Sequence, residues 1–225
     1  MTPLEQRYRS TLARIAAAAP DREITLLAVS KTQPAAAVAA LAALGQRAFG
    51  ENYVQEALAK MRELAALKLE WHLIGPLQSK KCKEVAQHFD WLQSLDRAKL
   101  VPLLARHRPA EREPLNVLIQ VNIDDETSKS GVAPAEIADL ADLVARTQGL
   151  RLRGLMAIPH PWPEASRRRE AFLALRDCFV ALRQRHPRVD TLSMGMSADF
   201  ELALACGATL VRVGSSLFGE RAAKP

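Results

Sequence analysis

The sequence predicts an α/β fold, a single (β/α)8 TIM barrel with an extra N-terminal helix. Three observations carry this. Strand-like and helix-like segments alternate eight times in 225 residues with little chain between them. Several strands are apolar on both sides of the alternation, as in Val117-Leu118-Ile119-Gln120-Val121, which suits a parallel sheet covered by helices. The first strand is followed by Ser30-Lys31-Thr32-Gln33-Pro34. An open doubly wound sheet would be expected to show a glycine-rich fingerprint there.

The elements follow in order. The extra helix covers roughly residues 3–19, with Pro3 near its start. Strands are expected at 24–30, 47–50, 70–75, 91–95, 116–122, 152–158, 191–196 and 209–213. Between them, Val54, Ala57, Leu58, Met61 and Ala65 share one helical face. Ile137, Leu140, Ala141 and Val144 share another, as do Phe172, Leu175, Phe179 and Leu182. Pro134 suits a helix start, and Gly149 follows a helix end. Residues 159–163 form a loop. No linker divides the chain, so 1–225 is read as one domain.

Composition narrows the function classes. The net charge is +6 and the isoelectric point about 9.5. Much of the basic charge falls on helix-like segments, Arg167 to Arg169 and Arg183, Arg185 and Arg188, where a solvated helix face explains it. Aromatic residues make up only 5%, too few for surfaces that stack single-stranded nucleic acid. No nucleic-acid partner is expected, and the positive balance suits a small anion. Cys82, Cys178 and Cys206 are odd in number and lack metal or redox spacing, so free thiols in a reducing compartment are expected. No apolar run of about 18 residues suggests a membrane span. A cytoplasmic protein is expected.

Barrel chemistry gathers at the C-terminal ends of the strands, and Lys31 stands just beyond the first. A poorly solvated amine there would have a lowered pKa and could form a Schiff base with an aldehyde. The alternative is a strand-end lysine reaching for water. Met194-Gly195-Met196-Ser197 and Val213-Gly214-Ser215-Ser216 each lead into a helix-like segment. Two such ends, with backbone N–H groups and the hydroxyls of Ser197 and Ser215, resemble a phosphate cradle. Each serine alone could be an N-cap, and Asp199 counts against an anion.

Arg212, between Val211 and Val213, must point into the barrel or into the helix layer. It would either pair with a buried carboxylate or donate to a cofactor ring nitrogen, which it could not fully protonate. Asn52 suits either a cofactor oxygen or a helix cap. His72 reads as a core histidine, without a ligand partner at metal spacing.

Taken together, these residues resemble the pyridoxal phosphate homeostasis proteins (the YggS/PROSC family), relatives of the N-terminal barrel of alanine racemase. The resemblance rests on Ala28 to Thr32, Phe49 to Glu56, Trp71 to Gln78, Asn122 to Gly131, Arg153 to Pro159, Ser193 to Ser197 and Val211 to Ser215 with Phe218-Gly219. It implies pyridoxal 5'-phosphate (PLP) as cofactor, held covalently by Lys31. It further implies contacts from Asn52, Met196, Ser197, Gly214 and Ser215, with Arg212 beside the pyridine nitrogen. Two departures stand out: Ser215 replaces a common threonine and Lys80 a common asparagine. Lys129, in the 122–131 loop, could be a lid residue or a second amine.

The resemblance implies a keeper of PLP and amino-acid balance without established turnover, with PLP-dependent apoenzymes as possible recipients. A racemase needs acid–base groups on both faces of the substrate carbon. Neither Tyr8 nor Tyr53 is an obvious second base, and Arg212 disfavours a carbanion. A racemase-type enzyme is the alternative, followed by a sugar-phosphate barrel. A monomer is expected.

Overall fold

The computed structural model describes residues 1–124, 126 and 130–219, so Lys129 lies outside the described residues. Eight parallel strands close into a barrel in chain order. They are β1 (Thr25–Val29), β2 (Ala48–Glu51), β3 (Glu70–Leu73), β4 (Trp91–Leu95), β5 (Leu115–Gln120), β6 (Leu150–Met156), β7 (Thr191–Met196) and β8 (Leu210–Val213). β8 returns to β1, with Ala28 opposite Val213. The helices are α1 (Pro3–Ala18), α2 (Ala35–Ala43), α3 (Val54–Glu63), α4 (Cys82–His88), α5 (Leu100–His107), α6 (Ile137–Ala145), α7 (Ala165–Arg185), α8 (Phe200–Ala205) and α9 (Ser215–Phe218).

The expected barrel is present, with shifted strand edges. β6 starts at Leu150 because that residue pairs with Leu115. It stops at Met156, before the exposed Ile158. β2 continues to Glu51, which pairs with Leu73 and is fully buried. The face expected of α3 needs correction: Ala65 is exposed, and Leu64 and Lys60 are buried. The chain turns into a short 3-10 segment at Ala65–Leu67, which breaks the helical period.

Strand alternation sorts side chains into two layers. Ala28, Phe49, Leu73, Leu92 and Val117 join helix residues such as Leu41, Val85, Leu104, Leu140 and Leu175 in the main core. The opposite set fills the barrel. Leu27, Ala48 and Leu210 form one small cluster, and Trp91, Leu118 and Met156 another. The same inward register carries His72, Gln93, Ser193 and Arg212, all buried.

α1 is capped by Thr2, whose Oγ1 accepts from the Glu5 N–H at 3.2 Å. Arg7 then donates to the carbonyls of Leu217 and Phe218, which seats α1 against α9. Several of the helix arginines are engaged within the protein. The Arg167 guanidinium lies 4.6 Å over the Trp162 ring, and Arg185 pairs with Asp142. No helix among the described residues is long and apolar enough to cross a membrane.

Candidate functional site

Lys31 follows β1 in a tight turn and is half-buried. The residue as a whole is thus partly open to solvent. Its backbone, by contrast, is held on both sides. Ser30 Oγ donates to Glu51 Oε1 at 2.6 Å. Thr32, at φ +64°, donates its N–H to Glu56 Oε1 at 2.6 Å. The Lys60 ammonium joins the two carboxylates, at 2.8 Å from Glu51 and 2.7 Å from Glu56, and also reaches the Ser30 carbonyl. Left-handed backbone at a threonine costs energy, and this ionic cluster opposes that cost. Burial pushes the Glu51 carboxyl pKa up, against the pull of Lys60 and Ser30.

The ends of β7 and β8 meet at Ser197 and Gly214. Ser197 Oγ accepts from the Gly214 N–H at 3.3 Å. Gly214 packs on the end of β1: a Cβ there would lie 3.2 Å from the Val29 carbonyl oxygen. Ser215 is exposed at the first turn of α9, and Met196 is 38% exposed at the tip of β7. α8 spans six residues and α9 four. An anion here would be held by individual N–H and O–H donors rather than by a helix dipole. Asp199 does not point at that junction as a free charge; its Oδ1 accepts from the Met196 N–H at 2.7 Å.

Arg212 points into the barrel and has 3% exposure. One terminal nitrogen donates to Ser193 Oγ at 2.7 Å and the other to the Ala157 carbonyl at 2.8 Å. No buried carboxylate pairs with it among the described residues. Burial lowers its pKa to about 10, with Asp199 opposing, so it stays charged at neutral pH. A guanidinium has five N–H donors, and these two contacts leave others for a ligand.

Asn52 is half-buried and is not the cap of α3, a position taken by Tyr53. It lines a cavity of about 300 Å³ with Ile74, Gly75, Gln120, Asn122 and Ile158. Gly75 lets it sit there, because a Cβ on residue 75 would fall 2.3 Å from the Asn52 carbonyl oxygen.

Tyr8 is buried, with its hydroxyl 3.4 Å from Gln46 Oε1 at the start of β2, the barrel's other end. Tyr53 is 60% exposed. His72 is buried, with Glu70, two residues back on the same strand face, at 2.8 Å on one ring nitrogen and Gln93 at 2.8 Å on the other. Among the described residues, no group of three or more histidine, cysteine or acidic side chains is set to hold a metal. A cleft of about 780 Å³ lined by Arg151, Arg153, Arg185 and Arg188 lies at the strand starts. Its size exceeds that of the cavity at Asn52, but it is remote from Lys31, Ser197 and Gly214.

Sequence reasoning missed Lys60, Glu56, Gln93 and Ser193. The first two form an ordinary i,i+4 pair on a predicted helix and so read as surface charges.

The family model described as alanine racemase, N-terminal domain, matches residues 5–222. The pyridoxal phosphate homeostasis protein of Escherichia coli K12 is 55% identical over 202 residues, covering 88% of this chain and 86% of the relative. The protein of that name in Pseudomonas aeruginosa PAO1 is 50% identical, covering 98% and 97%. Among solved structures, PipY of Synechococcus elongatus with PLP bound matches at TM-score 0.86 and 38% identity, over 96% of this chain and all of PipY. PipY without PLP matches at TM-score 0.87. Alanine racemase of Corynebacterium glutamicum shares the fold, with TM-score 0.69 and 20% identity.

Proposed function

This chain belongs to the alanine racemase N-terminal domain family and, within it, to the pyridoxal phosphate homeostasis proteins; from that premise we propose that it holds PLP through Lys31 at the upper barrel mouth. Its function is PLP binding in the service of intracellular PLP homeostasis. Residues 1–225 act in this proposal as one binding unit. The observation that carries the site assignment is a juxtaposition. Gly214, whose N–H donates to Ser197 Oγ, packs on Val29, two residues before Lys31 on the chain that carries the amine.

The donor set fits the group. Bound PLP supplies an aldehyde carbon that condenses with a primary amine as a Schiff base, releasing water. Lys31 is the amine. The Lys60 cluster fixes the backbone that carries it. Ser197, Gly214 and Ser215 would hold the phosphate, with Met196 beside them. Arg212 would donate to the ring nitrogen, and Asn52 would contact the cofactor near its ring. A charged arginine does not hand over its proton readily, so the ring nitrogen stays largely unprotonated and is a poor electron sink.

This favours reversible holding over turnover, with PLP released to apoenzymes. PipY is a relative solved both with and without PLP, in keeping with a cofactor that is held reversibly. Addition of PLP to the purified protein should produce a visible absorption band. Lys31→Ala should abolish the band, whereas Arg212→Gln should leave binding largely intact and alter the spectrum. L- to D-alanine conversion above that of the Lys31→Ala variant would instead favour a racemase.

A further inference from the structure

A barrel interior is ordinarily filled by branched apolar side chains. Here four strands place polar groups inside, and burial of such groups is costly unless each is hydrogen-bonded. They are bonded in series. Arg212 donates to Ser193 Oγ at 2.7 Å. Ser193 Oγ donates to Gln93 Oε1 at 2.7 Å. Gln93 Nε2 meets His72 Nδ1 at 2.8 Å, and His72 Nε2 meets Glu70 Oε1 at 2.8 Å. His72, Gln93 and Ser193 are fully buried. Glu70 opens onto a cavity of about 410 Å³ at the strand starts, lined also by Glu23, Trp91 and Arg153. The series therefore crosses the barrel from the proposed ring-nitrogen donor to the opposite mouth.

Its ends fix its polarity. A guanidinium only donates and a carboxylate only accepts. Ser193 must accept from Arg212, so its single proton points to Gln93. The Gln93 amide must then turn its NH2 toward His72. His72 Nδ1 must accept, which leaves the proton on Nε2 for Glu70. With a neutral imidazole, reversal of the Gln93 amide would set two acceptors against each other at His72 or at Glu70; only an imidazolium, which donates from both nitrogens, would accommodate it. His72 is also stacked on Trp91, with centroids 5.0 Å apart at 6°, so its ring cannot turn freely.

We propose that Ser193, Gln93 and His72 are positioning residues that act through Arg212, holding its guanidinium charged and aimed so that the chain of donors sets the hydrogen bonding at the PLP ring nitrogen. This rests on the PLP assignment above. The relay is independent of Lys31 and of the phosphate contacts. Its loss therefore alters the electronic state of bound PLP more than the affinity for it.

The test has two arms. In the first, without PLP, ¹⁵N NMR of the histidine rings should show His72 neutral with its proton on Nε2. A proton on Nδ1 would overturn the relay. In the second, Ser193→Ala and Gln93→Met should shift the absorption of bound PLP in the same direction as Arg212→Gln, with much smaller changes in PLP affinity than Lys31→Ala. Ser193→Thr, which keeps the hydroxyl, should restore the wild-type spectrum. An unchanged spectrum in both disrupting variants, alongside a shifted one in Arg212→Gln, would defeat the proposal. Absence of any PLP band in the wild type would defeat the cofactor assignment instead, and the NMR arm would still decide the relay. Should the substituted proteins fail to fold, the wild-type tautomer carries the decision.

Discussion

The ammonium of Lys60 lies 2.7 Å from the carbonyl oxygen of Ser30, the residue that immediately precedes Lys31. One buried cation thus grips the chain on one side of the proposed PLP lysine and, through Glu56 and the Thr32 N–H, on the other. Lys60→Met should be strongly destabilising, because Glu51 would keep a fully buried charge without its counter-ion. Breaking such a pair costs about 3–5 kcal/mol. Denaturant unfolding measures this, and a loss under about 1 kcal/mol, the scale of a surface pair, would mean that the cluster holds nothing. Glu51→Gln in the same protein should recover part of the loss.

Gly75 and Asn52 make a second, steric prediction. A Cβ at residue 75 would stand 2.3 Å from the Asn52 carbonyl oxygen and 2.8 Å from its Cα. Both atoms are backbone, so no side-chain rotation relieves the clash. Gly75→Ala should displace Asn52 and weaken PLP binding, with an overpacking cost of about 1–3 kcal/mol. Titration with PLP checks the first effect. Wild-type affinity in that variant would remove Asn52 from the site.

These two predictions differ in how far the sequence foretells them. Alternating strand-like and helix-like segments place all eight strands, most plainly β1 and β5, where continuous burial leaves few polar positions. The strand-end rule then singles out Lys31, Asn52, Ser197 and Gly214, and Arg212 stands out separately as a charge inside an apolar strand. Lys60 escapes that logic, since a charged helix residue with an acid one turn away reads as solvated. Gln93 and Ser193 escape for a topological reason. They are 100 residues apart and meet only because the barrel closes.

The thiols should be sluggish. Burial raises the pKa of Cys82, Cys178 and Cys206, and thiol chemistry proceeds through the thiolate. At mildly alkaline pH the native protein should react slowly with an aromatic disulfide reagent. Cys178, half-buried where the other two are buried, should react first. All three should react at once in denaturant. Mass spectrometry of the labelled protein gives the order. Rapid labelling of Cys82 or Cys206 in the native state would contradict their burial.

Arg153 gives an acid-stability prediction whose sign can be worked out. It pairs with Asp190 through two nitrogens, at 2.9 and 2.7 Å. Burial alone would raise the Asp190 carboxyl, but the hydrogen bonds from Arg153 and Thr191 outweigh it and the net shift is downward. Glu70 follows the same pattern, with His72 and Arg153 overcoming burial. A carboxyl whose folded pKa lies below its unfolded value of about 4 stabilises the fold above that value. The contribution disappears as the pH falls through the lower, folded pKa. Glu51 runs the other way, since its raised pKa favours the protonated form in the folded protein. Wild type and Arg153→Gln should therefore differ most in melting temperature near neutral pH and converge below about pH 4. The Asp190 side chain is 54% exposed, so solvent screening keeps the neutral-pH gap modest. Melting curves across that range decide the matter: a gap that stays constant down to strongly acidic pH would show that Arg153 stabilises through its packing on the Trp91 ring, 4.6 Å away, and not through the two carboxylates.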